Sequence, residues 1–148
     1  MLLTALARTK RIVGLTGIAA APDFTETLLW DRYSQSIRET LKSTGLYLEF
    51  SDYGIDPYPI TLRLIEEGRH HLLLDKPIRL DYPVRLIHGL DDKDVPWSLS
   101  LALSKALTSS DVTFTLIKGA NHRLSEPAPL ATICRTVLTL CEEIGSNR

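Results

Sequence analysis

The chain has 148 residues, 44% hydrophobic and 24% charged, with a formal net charge of −1 at pH 7, which is typical of a globular domain with a sizeable core. This near-neutral charge argues against nucleic acid or an anionic membrane surface as a partner, because both attract a basic patch. No apolar run reaches the roughly 20 residues that span a bilayer.

The first predicted elements are a helix over residues 1–9 and a strand over residues 11–21. The strand segment is rich in apolar and β-branched residues, which is typical of a strand buried on both faces of a parallel sheet. Asp23, with Glu26 three residues later, matches a capping box at a helix start. The helix that begins there is predicted to continue until Gly45 stops it.

The following segment is predicted to contain helices only. Residues 47–59 carry turn signals and are predicted to be irregular, whereas residues 60–74 are predicted to form a helix with Pro59 in its first turn. Together with the preceding helix, this stretch interrupts an alternation of strands and helices. We therefore interpret residues 26–75 as an insertion that stands over one end of the sheet.

Strands and helices alternate in the last part of the chain. Strands are predicted over residues 84–89 and 112–119, and each is followed by a helix, over residues 96–107 and 127–144. This alternation indicates βαβ units. With the strand over residues 11–21, the fold class is α/β, with a mostly parallel sheet of three strands flanked by helices.

Polar side chains follow two neighbouring strands of this predicted sheet. Asp91, Asp92 and Asp94 come directly after the first, and His122 follows the next, 122 − 92 = 30 residues after Asp92. Ligands bind outside the carboxyl ends of parallel strands, so these groups are expected at one edge. A carboxylate that accepts the Nδ1–H of an imidazole fixes its tautomer and leaves Nε2 free to act as a general base.

Each of these residues also has a simpler interpretation. Taken alone, Asp92 would be interpreted as a helix cap and His122 as a loop histidine. Asp91 is an alternative for the carboxylate that holds His122. Asp94 is the better candidate for the cap of the following helix. The three aspartates together with His88 could also suggest a metal site. They do not match a calcium loop, because Lys93 interrupts the aspartates and no glutamate follows at the required distance. We therefore predict no metal site.

Two motifs resemble those of the α/β-hydrolase family. "HGLDDKDVP" resembles the segment around the family's triad acid, and "GANHRLSEP" resembles the segment around its triad base. The resemblance implies that Asp92 is the acid and His122 the base, in the family's chain order. It covers nearly the whole chain. Residues 66–97 resemble the palmitoyl-protein thioesterase subgroup, whose substrates are acyl thioesters and acyl esters.

The chain departs from this family at the nucleophile. It contains no Gly-x-Ser-x-Gly pentapeptide, the motif in which the family carries its serine. Five other serines lack flanking glycines: Ser34, Ser36, Ser98, Ser100 and Ser125. The first 24 residues resemble the later part of the nucleophile helix and the strand after it. We therefore expect this chain to be the C-terminal half of a serine hydrolase, inactive without the missing N-terminal half.

The resemblance implies further features of the site. Trp97, adjacent to the acid loop, is a candidate wall of a substrate-binding acyl pocket. The insertion would act as a lid, and neither a cofactor nor a metal is needed. The alternative function is a truncated, non-catalytic form that binds a hydrophobic ligand or a partner subunit, since half a sheet leaves an unpaired edge.

The two cysteines indicate the compartment. Cys134 and Cys141 lie seven residues apart in one predicted helix, which separates them by about 10.5 Å and prevents a disulfide. We expect two reduced thiols in the core. Reduced thiols favour a cytoplasmic location, with a mitochondrial one as the alternative.

Overall fold

The computed structural model describes residues 2–8, 11–50 and 54–146. The chain divides into two compact units, one formed by Met1–Pro22 with Leu73–Arg148 and the other by Asp23–Leu72. No helix in these described ranges has the length and apolar character needed to cross a membrane. In chain order, the helices and strands are α1 (Leu2–Ala7), β1 (Leu15–Ile18), α2 (Gln35–Thr44), β2 (Leu46–Glu49), β3 (Tyr58–Thr61), α3 (Leu62–Arg69), β4 (Val84–Gly89), α4 (Trp97–Ala106), β5 (Val112–Ile117) and α5 (Pro127–Ser146).

The first unit contains the parallel sheet, in the order β1-β4-β5. All six residues of the central strand β4 are buried, as expected for a strand paired on both sides. Its side chains alternate between two helical layers. Leu86 packs in a cluster with Leu103 of α4, whereas Ile87 packs with Ile133 of α5. The predicted fold class, a mostly parallel sheet flanked by helices, is confirmed.

Two predictions for the first unit are wrong. The strand predicted over residues 11–21 is limited to β1, and Ile18 at its end is exposed because the strand lies at the edge of the described sheet. Cys134 and Cys141 are free, as expected, but both are exposed. Seven residues are close to two helical turns, so both thiols share one face of α5, and this is not the face that buries Leu140.

The second unit begins without the continuous helix that the sequence suggested. A π-helical turn over Thr25–Leu29 and a 3₁₀ turn over Trp30–Arg32 precede α2. Asp23 has a positive φ of 57°, and the N-cap of the π-helical turn is Phe24, not Asp23. Ser34 caps α2 by accepting the amide N–H of Ile37. The predicted end is correct, because Gly45 adopts the left-handed conformation after the last turn.

The segment predicted to be irregular contains an antiparallel hairpin of β2 and β3, so the insertion is not purely helical. Pro59 lies in β3 opposite Leu48, where a two-stranded sheet leaves an open edge that tolerates proline. Helix α3 therefore starts later than predicted, with Thr61 as its N-cap, and it ends at Arg69. The turn signal at residue 53 lies outside the described residues.

Candidate functional site

Backbone hydrogen bonds join the loops that follow β4 and β5. The amide of Leu90 donates to the carbonyl of Ile117 at 2.9 Å, and the amide of Asp91 donates to the carbonyl of Ala120 at 3.0 Å. Gly89 permits this approach, because a Cβ at this position would collide with the Ala120 carbonyl. The carboxyl ends of the two strands therefore hold their loops in direct contact.

The carboxylate of Asp92 lies at this junction, and its side chain has no exposed area. Its Oδ1 accepts the amides of Asp94 and Val95 at 3.0 and 2.9 Å, closing a turn before α4. Its Oδ2 lies 2.9 Å from Nδ1 of His122. The competing carboxylate, Asp91, is exposed. Of the three aspartates, Asp92 is therefore the one that holds the imidazole, and it also closes the turn.

The hydrogen bonds to Asp92 favour its charged form. Burial raises the pKa of this carboxyl, but donation from the Val95 amide, from His122 and from the Asp94 amide outweighs the burial, so the pKa of Asp92 lies below its ordinary value. A carboxylate in this state is a pure acceptor. It therefore requires a proton on the facing nitrogen of His122.

His122 has the orientation that a general base needs. Its Nδ1–H donates to Asp92, while 36% of its side chain is exposed. Among the described residues, its Nε2 makes no hydrogen bond, and no serine hydroxyl is bonded to the ring. The imidazole is fixed at one nitrogen and open at the other, so it can take a proton from a group that approaches Nε2.

A third residue at this site is His88, for which the sequence suggested only a metal-ligand role that was rejected. Its imidazole is completely buried, with Nε2 3.0 Å from Asp92 Oδ2 and Nδ1 2.7 Å from the hydroxyl of Ser100. An available signal was overlooked. A single imidazole within an apolar strand must find hydrogen-bond partners, and Asp92 follows it by four residues.

Asp92, Asp94 and His122 bring potential ligand atoms within 4.8 Å of one another, which is close enough to consider a metal ion. However, Asp92 already accepts four donors: two amides and two imidazoles. A carboxylate has about four lone-pair sites, so this arrangement leaves none for a cation. The donor set does not suit a metal.

The remaining candidate residues are more dispersed. Trp97 is the first residue of α4 and is 36% exposed. The serines considered as substitute nucleophiles divide by burial, because Ser100 has no exposed area, whereas the others are all exposed: Ser34, Ser36, Ser98 and Ser125. The structure thus brings Asp92 and His122 together, and none of the serines in the described ranges donates its hydroxyl to either side chain.

No family model matches the chain. A curated relative, the protein named palmitoyl-protein thioesterase ABHD10, mitochondrial, from Pongo abelii, is 31% identical over 149 residues, which are 99% of this chain and 48% of the relative. The chain spans about half the length of the curated relatives it matches.

Solved structures show the same relationship. The α/β hydrolase domain-containing protein 10 from mouse matches with a TM-score of 0.85 at 32% identity, covering 97% of this chain and 58% of that chain. A protein from Agrobacterium vitis S4 matches with a TM-score of 0.86 at 30% identity, covering 93% of this chain and 56% of that one. These matches confirm the resemblance to α/β-hydrolases inferred from the two strand-end motifs, and the chain has the α/β-hydrolase fold over the part that it shares with them.

Proposed function

We propose that this chain carries the acid and base of a serine hydrolase that cleaves acyl esters or thioesters. The observation that supports this function is the 2.9 Å contact between Oδ2 of Asp92 and Nδ1 of His122, with Nε2 of the same ring open. In this mechanism a serine attacks the acyl carbon and His122 accepts its proton. His122 then returns the proton to the leaving group, while Asp92 orients the ring and stabilises the imidazolium.

The serine nucleophile and the oxyanion donors would come from sequence outside these 148 residues. In support of this proposal, the chain has no Gly-x-Ser-x-Gly motif, and its relatives are about twice as long. Without the nucleophile and the oxyanion donors, His122 has no serine to activate and no means of stabilising a tetrahedral intermediate. We therefore propose that the chain alone is inactive as an esterase.

Labelling with a fluorophosphonate probe, which reacts with activated serines, tests this function. We expect no labelling of the 148-residue chain, and labelling of a version extended upstream by its own coding sequence. His122→Gln in the extended version should remove the labelling. Labelling of the short chain, or an upstream sequence with no in-frame Gly-x-Ser-x-Gly, would contradict the proposal.

The substrate class and location follow from the relatives. Because they are named palmitoyl-protein thioesterases of the mitochondrion, we propose a long acyl thioester on a protein as the substrate and a mitochondrial location in place of the cytoplasmic one. The lid role predicted for residues 26–75 and the acyl-pocket role of Trp97 remain predictions. Exchange of Trp97 for alanine in the extended version tests the latter through the dependence of KM on acyl length.

A non-catalytic role is the second candidate, and exposed apolar side chains favour it. Val13 and Ile18, next to and within the edge strand β1, are 45% and 46% exposed, and Leu138 on α5 is 62% exposed. An uncovered strand edge with apolar neighbours invites pairing with another polypeptide. Sedimentation of the short chain distinguishes this role, because a monomer at high concentration would argue against a partner along β1.

A further inference from the structure

We propose that His88 is a positioning residue for the acid of the triad: its Nε2–H holds Asp92 Oδ2 in place, and Ser100 holds the His88 ring. This inference rests on the proposed function only in that Asp92 is the acid. The contacts themselves lie within the first unit, on β4, its following loop and α4.

The proton on the His88 ring can be assigned from its partners. Nε2 lies 3.0 Å from Asp92 Oδ2 and 2.9 Å from the carbonyl of Val95, and both of these oxygens are acceptors. Nε2 must therefore carry a proton. The hydroxyl of Ser100 has two acceptors in reach, Nδ1 of His88 at 2.7 Å and the carbonyl of Ala20 at 3.4 Å. The shorter bond is favoured, so Nδ1 accepts and the ring is the Nε2–H tautomer.

With His88 in this tautomer, both oxygens of the Asp92 carboxylate accept hydrogen bonds. Oδ1 is held by two backbone amides and Oδ2 by two imidazoles, one buried and one half-exposed. Rotation of the carboxylate would break bonds in a site without solvent to replace them. His88 therefore keeps Oδ2 directed at Nδ1 of His122 when the latter ring moves or changes its charge.

The contacts Ser100–His88–Asp92 also contain the three residue types of a catalytic triad. These three residues cannot act as a catalytic triad in this fold, because Ser100 and His88 have no exposed area for a substrate to reach. The ring is also reversed, with Nδ1 on the serine and Nε2 on the carboxylate, whereas a triad histidine uses Nε2 for its serine. The contacts suit support of Asp92, not nucleophilic attack.

The tautomers of the four histidines can be measured on the 148-residue chain, with no need for a nucleophile. Ring ¹⁵N shifts, read through carbon-bound protons at about pH 8.5 where an ordinary imidazole is neutral, report the tautomer directly. We expect the Nε2–H form at His88 and the Nδ1–H form at His122. The exposed His70 and His71 provide internal references for a free ring.

Two variants test whether His88 acts on Asp92. His88→Leu should reduce the excess of the Nδ1–H form at His122 several-fold, towards the ratio at His70 and His71. His88→Gln places an amide N–H near the former Nε2 and should retain the excess. If His88→Leu does not fold, His88→Gln still tests whether an N–H donor at this position maintains the tautomer of His122, because loss of the excess in this variant contradicts the proposal.

The proposal is overturned by the Nδ1–H form at His88, or by a folded His88→Leu protein in which the tautomer of His122 is unchanged. Loss of the excess at His122 in His88→Gln would also overturn it. These results are independent of the labelling test. If the extended protein is not labelled but His88 and His122 show the expected tautomers, the hydrolase function is refuted. The support of Asp92 by His88 is then still confirmed.

Discussion

Gly89 and Ala120 lie so close that a Cβ on residue 89 would overlap the carbonyl group of residue 120. The same two loops exchange the Asp91–Ala120 hydrogen bond, so their separation determines where Asp92 and His122 meet. A glycine at the end of β4 is therefore a requirement of the site and not only of the strand.

Gly89→Ala should lower the free energy of unfolding by about 1–3 kcal/mol, because the added methyl group meets backbone atoms that have no rotamer with which to yield. Gly145→Ala is the matched control, since nothing lies within 4 Å of a Cβ there and the position is near the end of α5. This control should leave stability unchanged or raise it by up to about 1 kcal/mol. Urea denaturation of both variants measures the difference, and equal stabilities would contradict the steric explanation.

The accuracy of the sequence predictions follows the strength of the local signal. The sequence predicts strand β4 at its observed bounds because a run of mostly apolar or β-prone residues ends at a glycine. The hairpin of β2 and β3 was missed because its strands have four residues each and one contains Pro59, which speaks against a strand. Short strands of this kind are stabilised by contacts with neighbouring elements, and a local stretch of sequence does not reveal those contacts.

The site was predictable in part. Asp92 and His122 could be paired because the topology of a parallel sheet brings successive strand ends to one edge. The spacing of four residues between His88 and Asp92 was a signal for the bond between them. The bond from Ser100 that holds the His88 ring depends on how α4 packs against β4, and only the structure supplies it. The burial of a single side chain, such as that of His88 or Ser100, is difficult to predict from one sequence.

Asp92→Asn in the extended protein should reduce the rate of fluorophosphonate labelling by about 10³–10⁴-fold, because the amide no longer holds His122 in the productive tautomer. Asp91→Asn is the matched control, since this neighbouring carboxylate is exposed. It should label at the wild-type rate. Labelling rates give the comparison, and an equal loss in both variants would show that the acid has been assigned to the wrong residue.

Acid should weaken the stabilising effect of Asp92. Its pKa in the folded chain lies below the ordinary value, so the unfolded chain takes up a proton first as the pH falls. The contribution of the charged carboxylate to stability is therefore complete above about pH 5, one unit above the ordinary aspartate pKa of about 3.9, and declines towards lower pH. The free-energy difference between wild type and Asp92→Asn, measured by urea denaturation, should be constant above about pH 5 and shrink between about pH 5 and pH 3. A free-energy difference that stays constant over this pH range would contradict the lowered pKa of Asp92.

Ser100→Ala should lower the free energy of unfolding by about 1–3 kcal/mol, because it leaves the buried Nδ1 of His88 without its 2.7 Å donor. Ser104→Ala removes a hydroxyl from the same helix one turn later, and the partner of this hydroxyl among the described residues is the carbonyl of Leu101 in that helix. That carbonyl belongs to the backbone ladder of α4, so the control should cost less than about 1 kcal/mol. Urea denaturation at one pH measures both values. Because the two variants delete the same atom from the same helix, an equal loss would indicate a general effect of serine in α4, whereas a larger loss at residue 100 measures the buried bond to His88.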